Sequence, residues 1–135
     1  MAMTWHGDEA IKRVNAVIEG RLQGAAMFVQ SQARKNISRA QPTKLVHGAG
    51  GGSYRRGLAP SQPGEFPKKV MGQLRQRITY EMDKNPLRAR VGTSLPYGKY
   101  LELGTRTMLP RPWLLPTIMR SFGFIAAKFG IGPRV

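Results

Sequence analysis

Seven carboxylates and two histidines are the first candidates here for acid–base chemistry near neutral pH or for metal ligation: Asp8, Glu9, Glu19, Glu65, Glu81, Asp83, Glu102, His6 and His47. A zinc site needs three or four ligands drawn from histidine, acid or cysteine. The two histidines stand far apart with no acid at ligand spacing, and the chain has no cysteine, which removes thiolate ligands, disulfides and cysteine nucleophiles together. A metal-dependent nuclease requires clustered acids. Most of these acids instead fall at expected helix starts, turns or strand faces. The run Gly48-Ala-Gly50-Gly51-Gly52-Ser53 lacks the Gly-Lys-Ser/Thr ending of a nucleotide loop and has serine where a dinucleotide fingerprint needs its third glycine. No catalytic residue, metal site or cofactor is therefore assigned, and the chain reads as a non-enzyme.

Phosphate is the better-supported target. The 135 residues hold 22 Lys+Arg against 7 Asp+Glu, a formal charge of +15. A surplus of that size attracts polyanions. It is spread along the whole length: six basic and three acidic groups in 1–40, seven and one in 41–77, nine and three in 78–135. Arg55, Arg56, Lys68, Lys69, Arg75, Arg77, Arg88 and Arg90 are candidates to face DNA, with Tyr54 and Phe66 interleaved among the first six to stack on exposed bases. The competing reading is a solvated basic surface that docks on acidic protein. Neither helix-turn-helix nor zinc-finger spacing is present, so sequence-specific readout is not expected.

The elements that would carry these residues follow from periodicity. Ile11, Val14, Ile18, Leu22, Ala25, Val29, Ala33 and Ile37 recur at steps of three and four, predicting one helix from Asp8 to about Ser38. Acids open it and Arg34, Lys35 and Arg39 close it, both favourable to the helix dipole. Such a helix outruns a small domain. Either part of its stripe meets a second subunit, or it bends around its own sheet. Residues 41–67 show no period, are rich in glycine and proline, and read as a long basic loop. Lys68–Gln76 reads as a short basic helix or turn.

Arg77–Met82 and Leu87–Val91 alternate as a hairpin around Asp83–Pro86, with Arg88 and Arg90 making one face basic. Tyr97, Tyr100, Leu101 and Leu103 are spaced for a short helix stopped by Gly104. Thr105–Leu109 reads as extended, a candidate third strand. Pro112 to about Lys128 reads as the closing helix, with Ile118, Phe122, Ile125, Ala126 and Phe129 as its apolar side. The expected architecture is α+β: a long N-terminal and a C-terminal helix packed on a small antiparallel sheet, in a single domain spanning 1–135. Neither a secretory signal nor an apolar run long enough to cross a bilayer is evident, so a soluble protein is expected.

The densest pattern is Pro96-Tyr97-Gly-Lys-Tyr100-Leu-Glu102-Leu-Gly104-Thr105, followed by Arg111-Pro112-Trp113-Leu-Leu-Pro116. With Val91-Gly-Thr93, Pro63-Gly-Glu-Phe-Pro67, Gly72-Gln-Leu74-Arg75 and Ala33-Arg-Lys-Asn-Ile37, it resembles the tail-completion or minor tail proteins of siphophages, typified by the gene-ten product of phage HK-97. That family's versions read Pro-Tyr-Ala-x-Tyr-Leu/Val-Glu-Phe-Gly-Thr and Arg-Pro-Phe-Leu-x-Pro; here Leu103 and Trp113 replace phenylalanines, and the Thr-Gly-x-Leu-Arg element lacks its threonine. The likeness covers most of the chain, most strongly after residue 63.

It implies a structural virion protein of the head–tail junction, made in the bacterial cytoplasm. It further implies a homo-oligomeric ring of six copies, partnered by connector or head-closure proteins and by tail terminator or tail tube, around a DNA passage. Tyr97, Tyr100, Glu102, Gly104, Thr105, Arg111, Pro112 and Trp113 are the motif's structural or interface candidates. Tyr97, Tyr100, Leu101 and Trp113 are expected in the core, and Gly92 and Gly104 at turns. Glu102 and Arg111 are expected to form an ion pair, within one subunit or between neighbours.

Overall fold

The computed structural model describes residue 4 and residues 6–37, 43–47, 49–57, 61–67 and 72–131, with backbone alone for 43–46 and 53–57. Its elements are α1 (Gly7–Ile37), β1 (Thr43–His47), β2 (Ser53–Gly57), α2 (Gln73–Gln76), β3 (Ile78–Lys84), β4 (Leu87–Thr93), α3 (Pro96–Leu103) and α4 (Leu115–Lys128). The α+β architecture expected from periodicity is the one observed.

At 31 residues, α1 is roughly 45 Å long at the standard helical rise. Its C-terminal half holds the molecule together. Ala25, Ala26, Val29, Ala33 and Ile37 are buried, and the small alanines let neighbouring elements come close to the helix axis. Ala33 and Ile37 form one core with Leu74, Ile78, Leu101 and Trp113, enclosed by Phe66, Val91, Met108 and Leu114. The α4 helix lies antiparallel along α1: Asn36 donates to the Thr117 hydroxyl at 3.0 Å, and one helical stretch back Phe28 stacks on Phe124 with centroids 3.8 Å apart.

The β3–β4 hairpin covers another side of α1. Gln30 and Arg34 both donate to the Ile78 carbonyl at 2.8 Å, giving the first residue of β3 two charge- or amide-bearing partners from the helix. Farther along, Gln23 reaches the Tyr80 hydroxyl at 3.4 Å and Lys84 meets Glu19 at 3.4 Å. Ile78 is buried and Tyr80 and Met82 half-buried, whereas Thr79 and Glu81 face solvent. On β4, Leu87, Ala89 and Val91 turn inward while Arg88 and Arg90 are exposed, as alternation in a half-buried strand requires.

Several expectations are corrected. Ile11, Val14 and Ile18 share the helical stripe but are not covered: residues 8–18 of α1 are exposed all the way round. The helix does not lay that half on its own sheet. Within 41–67, read as irregular, β1 and β2 pair antiparallel, Thr43 opposite Gly57 and His47 opposite Ser53. The strand expected at Arg77 begins at Ile78, because Arg77 N–H still bonds back to Gln73 and Leu74 and closes α2. The hairpin strands run further than expected, to Lys84 and Thr93, and turn at Asn85–Pro86.

Thr105–Leu109 is not a third strand. Thr105 and Met108 exchange backbone hydrogen bonds of 2.8 and 3.3 Å, and the Thr105 hydroxyl accepts a further 3.1 Å bond from Met108 N–H, making a tight turn. Among the described residues the sheet at the core has two strands.

The closing helix starts at Leu115 rather than Pro112, with Pro116 in its first turn, where a missing N–H costs nothing. Its fully buried residues are Thr117 and Ser121, whereas Phe122 of the expected apolar side is exposed. The reason lies in its hydrogen bonds: Thr117 satisfies its hydroxyl by donating to the Trp113 carbonyl at 2.6 Å while accepting from Asn36 of α1 at 3.0 Å. A small polar residue so paired packs against α1 at little cost. At the other end, Gly130 has φ +70° and Gly130 and Ile131 N–H bond Ala127 and Ala126 carbonyls, a Schellman stop.

Candidate assembly and nucleic-acid interfaces

The segment from Pro96 to Pro116 folds back on itself around Glu102. Its carboxylate accepts N–H bonds from Trp113 at 2.7 Å and from Leu114 and Leu115 at 2.9 Å. Leu114 and Leu115 supply donors that the first turn of α4 leaves without intrahelical partners, Trp113 lies just before them, and a negative charge there complements the helix dipole. Leu114, the residue preceding α4, has no side-chain capping group, so the cap is supplied from α3. Within the subunit, Glu102 therefore caps α4 and does not form the expected ion pair with Arg111. Arg111 instead ties the segments through its backbone, N–H to Leu101 carbonyl at 2.7 Å; its Nε is buried without a hydrogen-bond partner.

Two glycines make the closure sterically possible. Gly104 stops α3 at φ +76°, and a Cβ there would sit 2.9 Å from the Met108 carbonyl oxygen. Gly98 is buried and passes so close to β4 that a Cβ would lie 2.3 Å from the Thr93 methyl and 3.1 Å from Leu74 Cδ1. Trp113 Nε1 donates to the Gly98 carbonyl at 2.9 Å, satisfying the one polar atom of a buried indole. Gly92, expected at a turn, lies instead within β4 opposite Thr79, has no left-handed φ, and has open space about it.

The motif thus divides. Leu101 and Trp113 are core as expected, but Tyr97 and Tyr100 are about half exposed, at 55% and 49%, and stand on the outer side of α3 with Leu103. Pro112 borders a cleft of about 440 Å³ shared with Asn36, Phe66, Pro67, Pro116 and Arg120, in which the Arg120 guanidinium sits 4.9 Å over the Phe66 ring. Gly64 N–H bonds the Pro110 carbonyl at 3.0 Å, so the Pro63–Pro67 element docks on the proline-rich approach to α4.

The four basic candidates whose side chains are described fall into two groups. Arg75 and Arg77 are exposed where α2 enters β3; Arg88 and Arg90 are exposed near the turn end of β4. A seven-residue strand separates these groups by about 20 Å. Asp83 accepts ion pairs from Arg90 at 3.1 Å and Arg88 at 3.7 Å, so part of that positive face is neutralised locally. The β2 backbone places Arg55 opposite Leu45 and Arg56 opposite Lys44. Lys68 and Lys69 lie outside the described residues. Among the described residues no cluster of potential ligands could hold a metal ion, and no helix is long and apolar enough to cross a membrane.

Sequence reasoning missed two features. The Glu102 cap has no local signature, because donor and acceptor lie 11–13 positions apart. The second is a row of exposed apolar residues on α4, Leu115, Met119 and Phe122, at 60%, 69% and 66%. Their spacing is legible, but it resembles that of a core-facing stripe. Comparison with known protein families, with curated proteins and with solved structures finds no match for this chain.

Proposed function

We propose that this chain is a structural component of a siphophage virion, a neck or tail-completion protein. In this reading, copies assemble as a ring that joins the tail tube to the connector around the DNA passage, in virions built in the bacterial cytoplasm. The observation that carries the reading is the Pro96–Pro116 unit, whose motif residues occur in the family's order. Glu102, Gly104, Leu101 and Trp113 spend their chemistry on holding one another, as a building block requires: the acid caps a helix, the glycine turns the chain, and the tryptophan closes the core. The described surface also carries exposed basic residues, Arg75, Arg77, Arg88 and Arg90, and bare apolar rows on α1 and α4. Those suit phosphate and other protein subunits respectively.

Deleting the coding sequence from the phage is the direct test. Filled heads and complete but unjoined tails, restored to whole particles by adding the purified chain, are the expected outcome. Normal joined particles without the chain would end the proposal.

The charge favours a second reading, a non-specific nucleic-acid-binding module. A protein that is monomeric at every concentration and binds DNA tightly, with steep loss of affinity in salt, would select it.

A further inference from the structure

From Gly7 to Arg21, α1 carries three acids and three bases, Asp8, Glu9 and Glu19 against Lys12, Arg13 and Arg21. The rest of the chain carries 19 basic and four acidic residues. The whole surplus of +15 therefore lies outside the projecting tip, and copies approaching through most other surfaces repel one another. On the tip, Ile11, Val14, Val17 and Ile18 are 59%, 56%, 53% and 37% exposed. Ile11, Val14 and Ile18 share one face, at steps of three and four.

The second bare strip is on α4. Leu115, Met119 and Phe122 each precede by two positions a residue turned toward α1, namely Thr117, Ser121 and Phe124. Two residues rotate a helix by about 200°, so the strip points away from the body. The two strips match in length, each spanning eight residues and about 10 Å of helix. Charge does not oppose their meeting: α4 holds Arg120 and Lys128 and no acid, while the α1 tip is balanced, with Glu9 paired to Arg13 at 2.6 Å.

We infer that the N-terminal half of α1 of one copy packs on the Leu115–Met119–Phe122 face of α4 of the next. One contact of this kind covers both bare strips. Because the two faces differ, it repeats from copy to copy instead of ending at a pair, and it closes into a ring if the rotation permits. This inference rests on the reading of the chain as a self-assembling virion component, and supplies the joint for it.

The absence of cysteine allows a direct test. Val14→Cys and Met119→Cys are made in separate chains, both at exposed positions central to their strips, and circular dichroism verifies that each retains its helices. Under mild oxidation, an equimolar mixture is expected to form a disulfide between the two variants, while neither variant alone does. Ile11→Asp or Met119→Asp is expected to weaken self-association at least about tenfold, since each places a charge in an apolar contact.

A Val14→Cys chain that links to itself overturns the inference in favour of paired α1 tips. Assembly without the mixed link overturns it while leaving the virion reading intact. A monomer at all concentrations also overturns it; the fate of the virion reading is then decided separately by the deletion phage.

Discussion

The two halves of α1 have the same apolar spacing and opposite surroundings. Ala25, Val29, Ala33 and Ile37 are 4%, 4%, 0% and 2% exposed beneath the hairpin and α4. Ile11, Val14 and Ile18, on the same stripe, touch water. Periodicity says that a helix face is apolar; it does not say which chain covers it. The residues that differ between the halves are the informative ones. The buried half interleaves alanines, which allow backbones to approach, with Val29 and Ile37, and carries Asn36, which ties α4. The bare half has only β-branched residues on its stripe, Ile11, Val14 and Ile18, and balanced charge around them, suited to a looser helix-to-helix contact.

This contrast yields predictions of graded size. Removing the core's largest side chain by Trp113→Ala should cost about 3–5 kcal/mol, a large part of the stability of a domain this small. Chemical denaturation should find that variant largely unfolded. Val14→Ala, by contrast, should change the stability of the monomer by less than about 0.5 kcal/mol. A comparable loss at both sites would erase the distinction between the halves.

Glu102→Ala leaves the N–H groups of Trp113, Leu114 and Leu115 at the entry to α4 without their acceptor and should cost about 2 kcal/mol. Arg111→Ala should not mimic it in the monomer, since the two side chains do not pair within the subunit; equal effects, non-additive in the double variant, would restore the ion pair. Gly98→Ala drives a methyl into Thr93 and Leu74 and should cost about 1–3 kcal/mol. Adding Thr93→Ser, which removes the obstructing methyl but keeps the hydroxyl that accepts Leu95 N–H, should recover part of that loss. Smallest in stability is Asp83→Asn, within about 1 kcal/mol for exposed pairs. It frees Arg88 and Arg90, and should tighten salt-sensitive association with duplex DNA; unchanged affinity would show that this face meets no phosphate.

Long-range periodic features were legible in the sequence. The α1 stripe, the alternation of Arg88 and Arg90 with Leu87, Ala89 and Val91, and the Gly104 stop all have local causes. The illegible parts depend on distant partners. Nothing near Thr117 reveals that Asn36 will satisfy its hydroxyl and so turn α4 about its axis. The strands β1 and β2 were hidden because Lys44, Arg55 and Arg56 interrupt any apolar alternation. The Thr105–Met108 turn was read as strand because its stabilising bonds are a backbone exchange and one hydroxyl rather than a glycine or proline signal. Of the candidate site, core membership of Leu101 and Trp113 could be read from residue type. The outward placement of Tyr97 and Tyr100 could not, because amphipathic rings suit either side.

Amide hydrogen exchange along α1, followed in dilute monomer and in the assembled state, tests the division of that helix most directly. The expected result is strong protection of residues 25–37 in both states, with residues 8–18 exchanging quickly in the monomer and slowing by at least about tenfold on assembly. Equal protection of the two halves in the monomer, or residues 8–18 still exchanging freely in the assembly, would contradict it.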